Sequence, residues 1–412
     1  MTAIATKLTT SQRRILILLV ISGFINYIDR GNLSVAAPML TKELSLGPAQ
    51  MGVLLSSFFW TYAAFQIIAG WAVDRYNVYW VYGLGYFVWS LATAATGWVG
   101  GFSSLLTLRL ILGFGESVAY PAYSKILAGS FPEYHRGIAN ALIDGGTKGG
   151  PALGTLVGGL LMARFGWRVF FIALGLGSFL WLLPWALWSP RRAEGQGPRQ
   201  AHDGPSFVDI LRRRSPWGTF LALFCCNYFW YFLLTWLPSY LVMERHFSMQ
   251  AMAMFGSLPF WGIGLTSVAG GWASDRLVAR GFSPTWVRKG FACTGMLSGI
   301  LVLPAAIIQD QTVAMAFLYV GCLGFGLLSS NVWAITQSIA GPQAAGRWTG
   351  LQNCVGNLAG VAAPAITGWV VAKTGQFYMA FVVVAVMLVL GICSYLFLVG
   401  PVRPLDWPKR QG

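Results

Sequence analysis

Twelve apolar runs, each near the roughly 20 residues that a helix needs to cross a bilayer, follow one another along this chain. They fall at about residues 15–37, 49–73, 79–99, 103–128, 138–162, 168–189, 216–241, 250–274, 286–308, 312–339, 347–371 and 376–400. Of the 412 residues 56% are hydrophobic and only 10% charged, against about 25% charged in a soluble domain. Hydrocarbon offers no partner for backbone N–H and C=O groups, so isolated apolar runs of this length must be helices. The expected fold is an all-α polytopic membrane protein with twelve transmembrane helices.

The net charge of +15 by itself would suit a nucleic-acid partner, but the bases are distributed as membrane topology dictates. With the N-terminus inside, nineteen Lys and Arg residues fall in loops and tails on that side; five (Lys42, Arg164, Arg168, Arg245 and Lys373) fall opposite. Cytoplasmic loops carry such an excess. The expectation is a multi-pass protein of the cell inner membrane with both termini cytoplasmic, a monomer with no nucleic-acid partner. The first apolar run is too long for a cleavable signal and has no small-residue cleavage site. Six cysteines lie in the spans without metal or redox spacing, so they read as small packing residues, and no metal or cofactor is expected.

An internal repeat divides the chain. "FWTYAAFQIIAGWAVDR" (Phe59–Arg75) and "FWGIGLTSVAGGWASDR" (Phe260–Arg276) share Phe-Trp and Gly-Trp-Ala-x-Asp-Arg at an offset of 201 residues. Each copy ends the second span of its half. Two six-helix halves follow, residues 1–189 and 216–412. The polar, basic stretch 190–215 between them reads as a cytoplasmic linker with a short surface helix around Phe207–Arg214 that can meet anionic headgroups.

Charges within the spans carry the functional question. Four bases (Arg30, Arg109, Lys125 and Lys148) and three acids (Asp29, Glu116 and Asp144) lie there, all in the N-terminal half. Lys125 is near a span end and can snorkel. A charge at the bilayer centre costs about 2.5–3.5 kcal/mol on insertion scales, so the rest need a compensating network. Arg30 is the first candidate for an anion's partner, because its planar fork matches a carboxylate. Asn26 lies one turn earlier on the same face, and Asp29 can hold the guanidinium when no anion is bound. Neighbouring helix positions point about 100° apart, however, and pair poorly without a third group. Glu116 is two turns after Arg109, so either a fixed Glu116–Arg109 strut or a proton carrier fits. Burial disfavours a carboxylate's charged form and a nearby cation favours it. With no histidine in the spans, Asp29 and Glu116 are the available proton carriers. Asp144 and Lys148, at i and i+4, make either a self-contained ion pair or, through Lys148, a second cation for the substrate. The flanking glycines permit close helix approach.

Twelve spans, two halves, a long central loop and Gly-x-x-x-Asp-Arg in both second-to-third loops resemble the major facilitator superfamily. In that family the motif locks the halves, which implies gating roles for Asp74, Arg75, Asp275 and Arg276. The glycine and basic pair that follow in the family are missing after Arg75, where "YNVYW" stands. "NYIDRGNLSVAAP", "FWTYAAFQIIAG", "RLILGFGES" and "NCVGNLAGVAAPAITGWVV" together resemble its anion:cation symporter branch, which includes sialin and the vesicular glutamate and bacterial sugar-acid transporters. That resemblance implies substrate contacts at Tyr27, Arg30, Tyr62, Ser330, Trp333 and Asn353, and proton coupling at Asp29 and Glu116 with Arg109 assisting. Leu223 stands where a polyol-binding glutamine is expected and Lys148 is atypical, which points away from a polyhydroxylated substrate. Asn227, Tyr228 and Tyr231 either line the cavity or pack.

The function implied is proton-coupled symport of a small organic carboxylate by alternating access, in which the halves rock around a central site. Against an inside-negative potential an entering anion pays about 2.3 kcal/mol per charge per 100 mV, and one proton cancels that for a monoanion. "GTKGGPALG" (Gly146–Gly154) partly matches the span-5 pattern of drug–proton antiporters, so an exporter of organic anions or drugs is the alternative. A non-transporting sensor is disfavoured by the short tail. No nucleophile–base pair, cofactor loop or metal cluster points to an enzyme.

Overall fold

The structure is a computed structural model, and it describes residues 8–131, 133–190 and 205–407, without the side chains of 74, 128, 133–138, 342 and 346. Residues 191–204 of the expected linker therefore lie outside the described residues.

Among the described residues the chain is helical, without strands. In chain order the first helices are α1 (Thr10–Glu43), α2 (Pro48–Arg75), α3 (Val78–Thr96), α4 (Phe102–Glu116), α5 (Ala119–Ser130), α6 (Glu133–Leu153) and α7 (Gly159–Trp188). There follow α8 (Phe207–Leu211), α9 (Arg214–Ser239), α10 (Met249–Ala279), α11 (Pro284–Gly299), α12 (Val302–Ile307), α13 (Gln311–Gly326), α14 (Ser329–Thr374) and α15 (Tyr378–Cys393). Single π-helical turns at Gly154–Gly158, Tyr240–Glu244 and Ser394–Leu398 extend α6, α9 and α15.

Among the described residues ten segments are long and apolar enough to cross a membrane, the longest being Ala139–Trp188. That segment breaks at Gly166, with φ 81° and ψ 160°, and so supplies the fifth and sixth spans. Helix α14 breaks in the same way at Gly341, with φ 67°. A side chain at such a φ would clash with its own backbone, so glycine fixes where each segment divides. With α3 as the third span, the twelve expected spans are all present.

Two compact units form. One comprises Met1–Arg199 with Phe247–Ser257, the other Gln200–His246 with Leu258–Gly412. The first is held by a ring cluster in which Tyr86 stacks on Trp181 at 4.1 Å and Trp181 on Trp185 at 4.8 Å. In the second, Phe229 stacks on Phe325 at 4.1 Å. Large apolar side chains point outward, Ile67 being 82% and Leu187 80% exposed. On such a long-span helical protein this surface suits lipid.

Helix α8 is shorter than the expected 207–214. Ser206 and Asp209 cap it reciprocally, it ends at Leu211, and Arg213 is extended, with ψ 152°. A new helix starts there because Pro216 lies in its first turn, where no intrahelical bond is lost.

The approach of α6 to α1 positions the charged centre. A Cβ on Gly146 would sit 2.8 Å from the Gly23 carbonyl carbon, and one on Gly150 2.6 Å from Tyr27 Cβ. Only glycine lets the helices meet this closely.

Candidate functional site

Helix α1 carries Asn26, Asp29 and Arg30 inward, at 1%, 2% and 4% exposure. Arg30 Nε donates to Glu116 Oε2 over 2.9 Å. Glu116 is the last residue of α4 and is fully buried. A carboxylate at a helix C-terminus faces the negative end of the dipole, so a buried Glu116 needs a cation partner when charged.

Aromatic rings complete the surroundings. The Arg30 guanidinium carbon lies 4.4 Å from the ring centre of Tyr62, 4.7 Å from Tyr27 and 5.1 Å from Phe58. Phe58 and Tyr62 stack on each other, with ring centres 5.3 Å apart, and the Tyr27 hydroxyl is 3.1 Å from that of Tyr120. Ring faces attract cations within about 6 Å. Arg30 is thus held by one carboxylate and three rings, while its Nη2 has no hydrogen-bond partner among the described residues. The second buried arginine, Arg109, also lies over Phe58, at 5.2 Å.

The partnership of Arg30 corrects the sequence reading. The expectation that Asp29 would hold the guanidinium fails, and so does the fixed Glu116–Arg109 strut. Asp29 Oδ1 instead accepts from the Thr93 hydroxyl of α3 at 3.2 Å. The 100° step between adjacent helix positions explains it: Asp29 faces α3 while Arg30 faces α2 and α4. Phe58, Thr93 and Tyr120 were missed because an apolar ring or a lone hydroxyl carries no sequence signal. Phe58 adjoins the repeated Phe-Trp pair, the one available hint.

On α6, Asp144 is exposed and Lys148 half-buried. Neighbouring Thr147 is buried, and its hydroxyl has no partner among the described residues.

In the second unit Ser330 is exposed and donates to the Ser267 carbonyl at 2.9 Å. Trp333 is half-buried and Asn353 exposed. The side chains from the aromatic run bind α14: Tyr231 donates to Asn357 Oδ1 at 2.7 Å and Asn227 to the Gly356 carbonyl at 3.0 Å.

Of the expected gating residues, the side chain of Asp74 lies outside the described residues. Arg75 and Arg276 rest on the rings of Trp71 (5.8 Å) and Trp272 (5.1 Å). Asp275 pairs with Arg288 of α11 at 2.8 Å, and not with the adjacent Arg276. Arg288, thirteen positions on, was not singled out because nothing in the repeat marks it.

The first unit is a multi-span helical bundle that encloses a cation–carboxylate pair among aromatic rings. Similarity to known proteins makes the chain a polytopic membrane transporter and not an enzyme. Residues 19–364 match the family described as Major Facilitator Superfamily, and the chain belongs to that family. It is 30% identical to the "Probable galactarate/D-glucarate transporter GudP" of Bacillus subtilis over 99% of this chain and 96% of that one. It is 29% identical to the "Probable sulfoacetate transporter SauU" of Cupriavidus necator and 29% to the "Hexuronate transporter" of Bacillus subtilis, with 94% of each chain covered in both cases. Among solved structures, a bacterial homolog to the human lysosomal transporter Spinster, inward-facing and occupied, superposes with a TM-score of 0.82. That match is 18% identical and covers 95% of this chain and 97% of the other. A D-xylose-proton symporter superposes with a TM-score of 0.75 at 13% identity, over 95% and 98% of the chains. These two likenesses bear on the fold.

Proposed function

We propose that this protein imports a small organic carboxylate together with protons by alternating access, with Arg30 as the anion's docking cation and Glu116 as the group that releases it. The observation that carries the reading is the Arg30–Glu116 bond: a substrate carboxylate and Glu116 compete for one guanidinium. A proton on Glu116 removes the competitor, and the substrate then takes the arginine. When the substrate leaves and Glu116 ionises, the internal pair re-forms and the empty carrier can return.

The relatives' names, galactarate/D-glucarate, sulfoacetate and hexuronate, support an organic acid as cargo. Tyr27 and Tyr62 orient the fork from its faces, and Lys148 offers a second cation for a doubly charged acid. From the C-terminal half, Ser330, Trp333 and Asn353 are assigned to the substrate's remaining groups. Asp29 holds a further proton with Arg109 assisting, and Asp74, Arg75, Asp275 and Arg276 gate. The halves are residues 1–189 and 216–412, in the inner membrane with both termini cytoplasmic.

The test is uptake by reconstituted liposomes. Glucarate, a hexuronate and sulfoacetate are offered with and without an acid-outside gradient and with imposed potentials. Concentrative, gradient-dependent entry of at least one acid supports the reading. Gradient-driven extrusion, or entry indifferent to pH, overturns it.

A further inference from the structure

The first unit buries a set of hydroxyls that the anion site leaves unused. The Tyr123 hydroxyl lies 3.2 Å from Ser22 Oγ and 3.0 Å from the Tyr82 hydroxyl. All three residues are 4% exposed or less. Their oxygens link α1, α3 and α5, and the Tyr82 and Tyr123 rings also pack edge to face, 5.5 Å apart. Phenylalanine would fill the same ring cluster, and a buried hydroxyl that loses its partner costs about 1–3 kcal/mol, so packing does not explain them.

Their position does. On α1, Ser22, Asn26 and Arg30 follow at one-turn spacing, which leads from the triad to the Arg30–Glu116 pair. On α3, Tyr82 and Tyr86 lead toward Thr93, whose hydroxyl reaches Asp29. Along this stretch Asp29 Oδ2 is buried without a hydrogen-bond partner among the described residues, while Asn26 faces Glu116 and the Tyr86 hydroxyl faces Ser178, polar groups able to hold bridging water. In the other direction, one turn before Tyr82, the Tyr79 hydroxyl meets Ser130 Oγ at 2.9 Å. The Ser130 carbonyl in turn accepts from Gln12, in the first turn of α1.

We infer that Ser22, Tyr123 and Tyr82 relay protons between the Asp29–Glu116 carboxylates and the end of the unit marked by Tyr79 and Ser130. This rests on the reading that these carboxylates carry the coupled protons. In each passage a carboxylic acid gives its proton to bridging water beside Asn26, and that water protonates Ser22 Oγ. The hydroxyl's own proton, held at rest by the Leu19 carbonyl at 2.9 Å, turns to Tyr123. A second bridging water spans Tyr82 and Tyr79. Every hydroxyl accepts a proton on one side and gives up its own on the other. A carboxylate remains inside and a proton enters the water beyond Ser130, after which the rotors turn back. No charge other than the proton moves.

The experiment needs no identified substrate. Full-length protein in lipid is subjected to a pH jump while the infrared C=O stretch of protonated carboxyl groups is followed, with Glu116→Gln and Asp29→Asn assigning the band. Tyr82→Phe and Tyr123→Phe keep the rings and remove the oxygens. Tyr240→Phe, whose hydroxyl donates to Ala305 in the other unit, is the control. The expected result is an unchanged final amplitude reached at least tenfold more slowly in Tyr82→Phe and Tyr123→Phe, with wild-type speed in Tyr240→Phe. A merely structural role would alter amplitude or melting, not the rate alone. Wild-type rates in both variants overturn the relay and leave the proposed function standing. If no carboxyl band titrates in the unsubstituted protein, the proton-carrier reading fails first and takes the relay with it.

Discussion

Arg30 Nε and Glu116 Oε2 lie 2.9 Å apart with side-chain exposures of 3% and 0%. Buried ion pairs are poor stabilisers, because removing two charges from water offsets their attraction, and apolar replacements of similar volume are often as stable or more so. Stability is therefore a weak reason for this chain to keep such a pair inside α1 and α4. Competition between Glu116 and a substrate carboxylate for the same fork supplies a stronger one.

If Glu116 competes with substrate, protonating it strengthens binding. Substrate affinity should rise as pH falls, since the acid form leaves Arg30 free. Glu116→Gln, which mimics the acid, should bind as tightly at high pH as at low pH and lose gradient-driven accumulation while retaining exchange. Calorimetry across pH and paired uptake and counterflow assays check this; a pH dependence surviving in Glu116→Gln contradicts it.

Asp29 makes a different prediction because it touches Thr93 and not Arg30. Asp29→Asn should leave substrate affinity little changed, because Asp29 is joined to Thr93 and the guanidinium to Glu116, while accumulation under a pH gradient collapses. A large loss of affinity would return Asp29 to the role that the sequence suggested for it.

Arg30→Lys keeps the charge and loses the fork. A hydrogen bond to a charged group is worth about 1.5–3 kcal/mol, so affinity for a carboxylate should fall roughly tenfold or more. Titration of purified protein measures it, with normal affinity as the contrary result.

Helix approach can be tested apart from charge. Gly150→Val would drive a Cβ to 2.6 Å from Tyr27 Cβ, whereas nothing lies within 4 Å of a Cβ on Gly145. Overpacking costs about 1–3 kcal/mol, so Gly150→Val should melt earlier and transport less, and Gly145→Ala should do neither. Melting of the two proteins in one detergent decides it.

Much of the molecule was legible from the chain. The breaks at Gly166 and Gly341 fall where the apolar runs lapse, and the two copies of Gly-Trp-Ala-x-Asp-Arg mark the halves. The charges at membrane depth were visible because so few exist. Less legible were the residues that give those charges their surroundings. Phe58 reads as any core phenylalanine, Tyr120 as any tyrosine, and Arg288 as one loop-end base among several, yet they contact Arg30, Tyr27 and Asp275.

The sequence alone determined twelve helices and one charged half, because a bilayer forces the backbone to satisfy itself and makes each interior charge conspicuous. Which acid holds Arg30 was decided only in three dimensions. Adjacency in the chain offered Asp29, although neighbouring helix positions point about 100° apart. The actual partner stands 86 positions away, brought there as α1, α2 and α4 pack their side chains together, an outcome of long-range packing that no local period encodes.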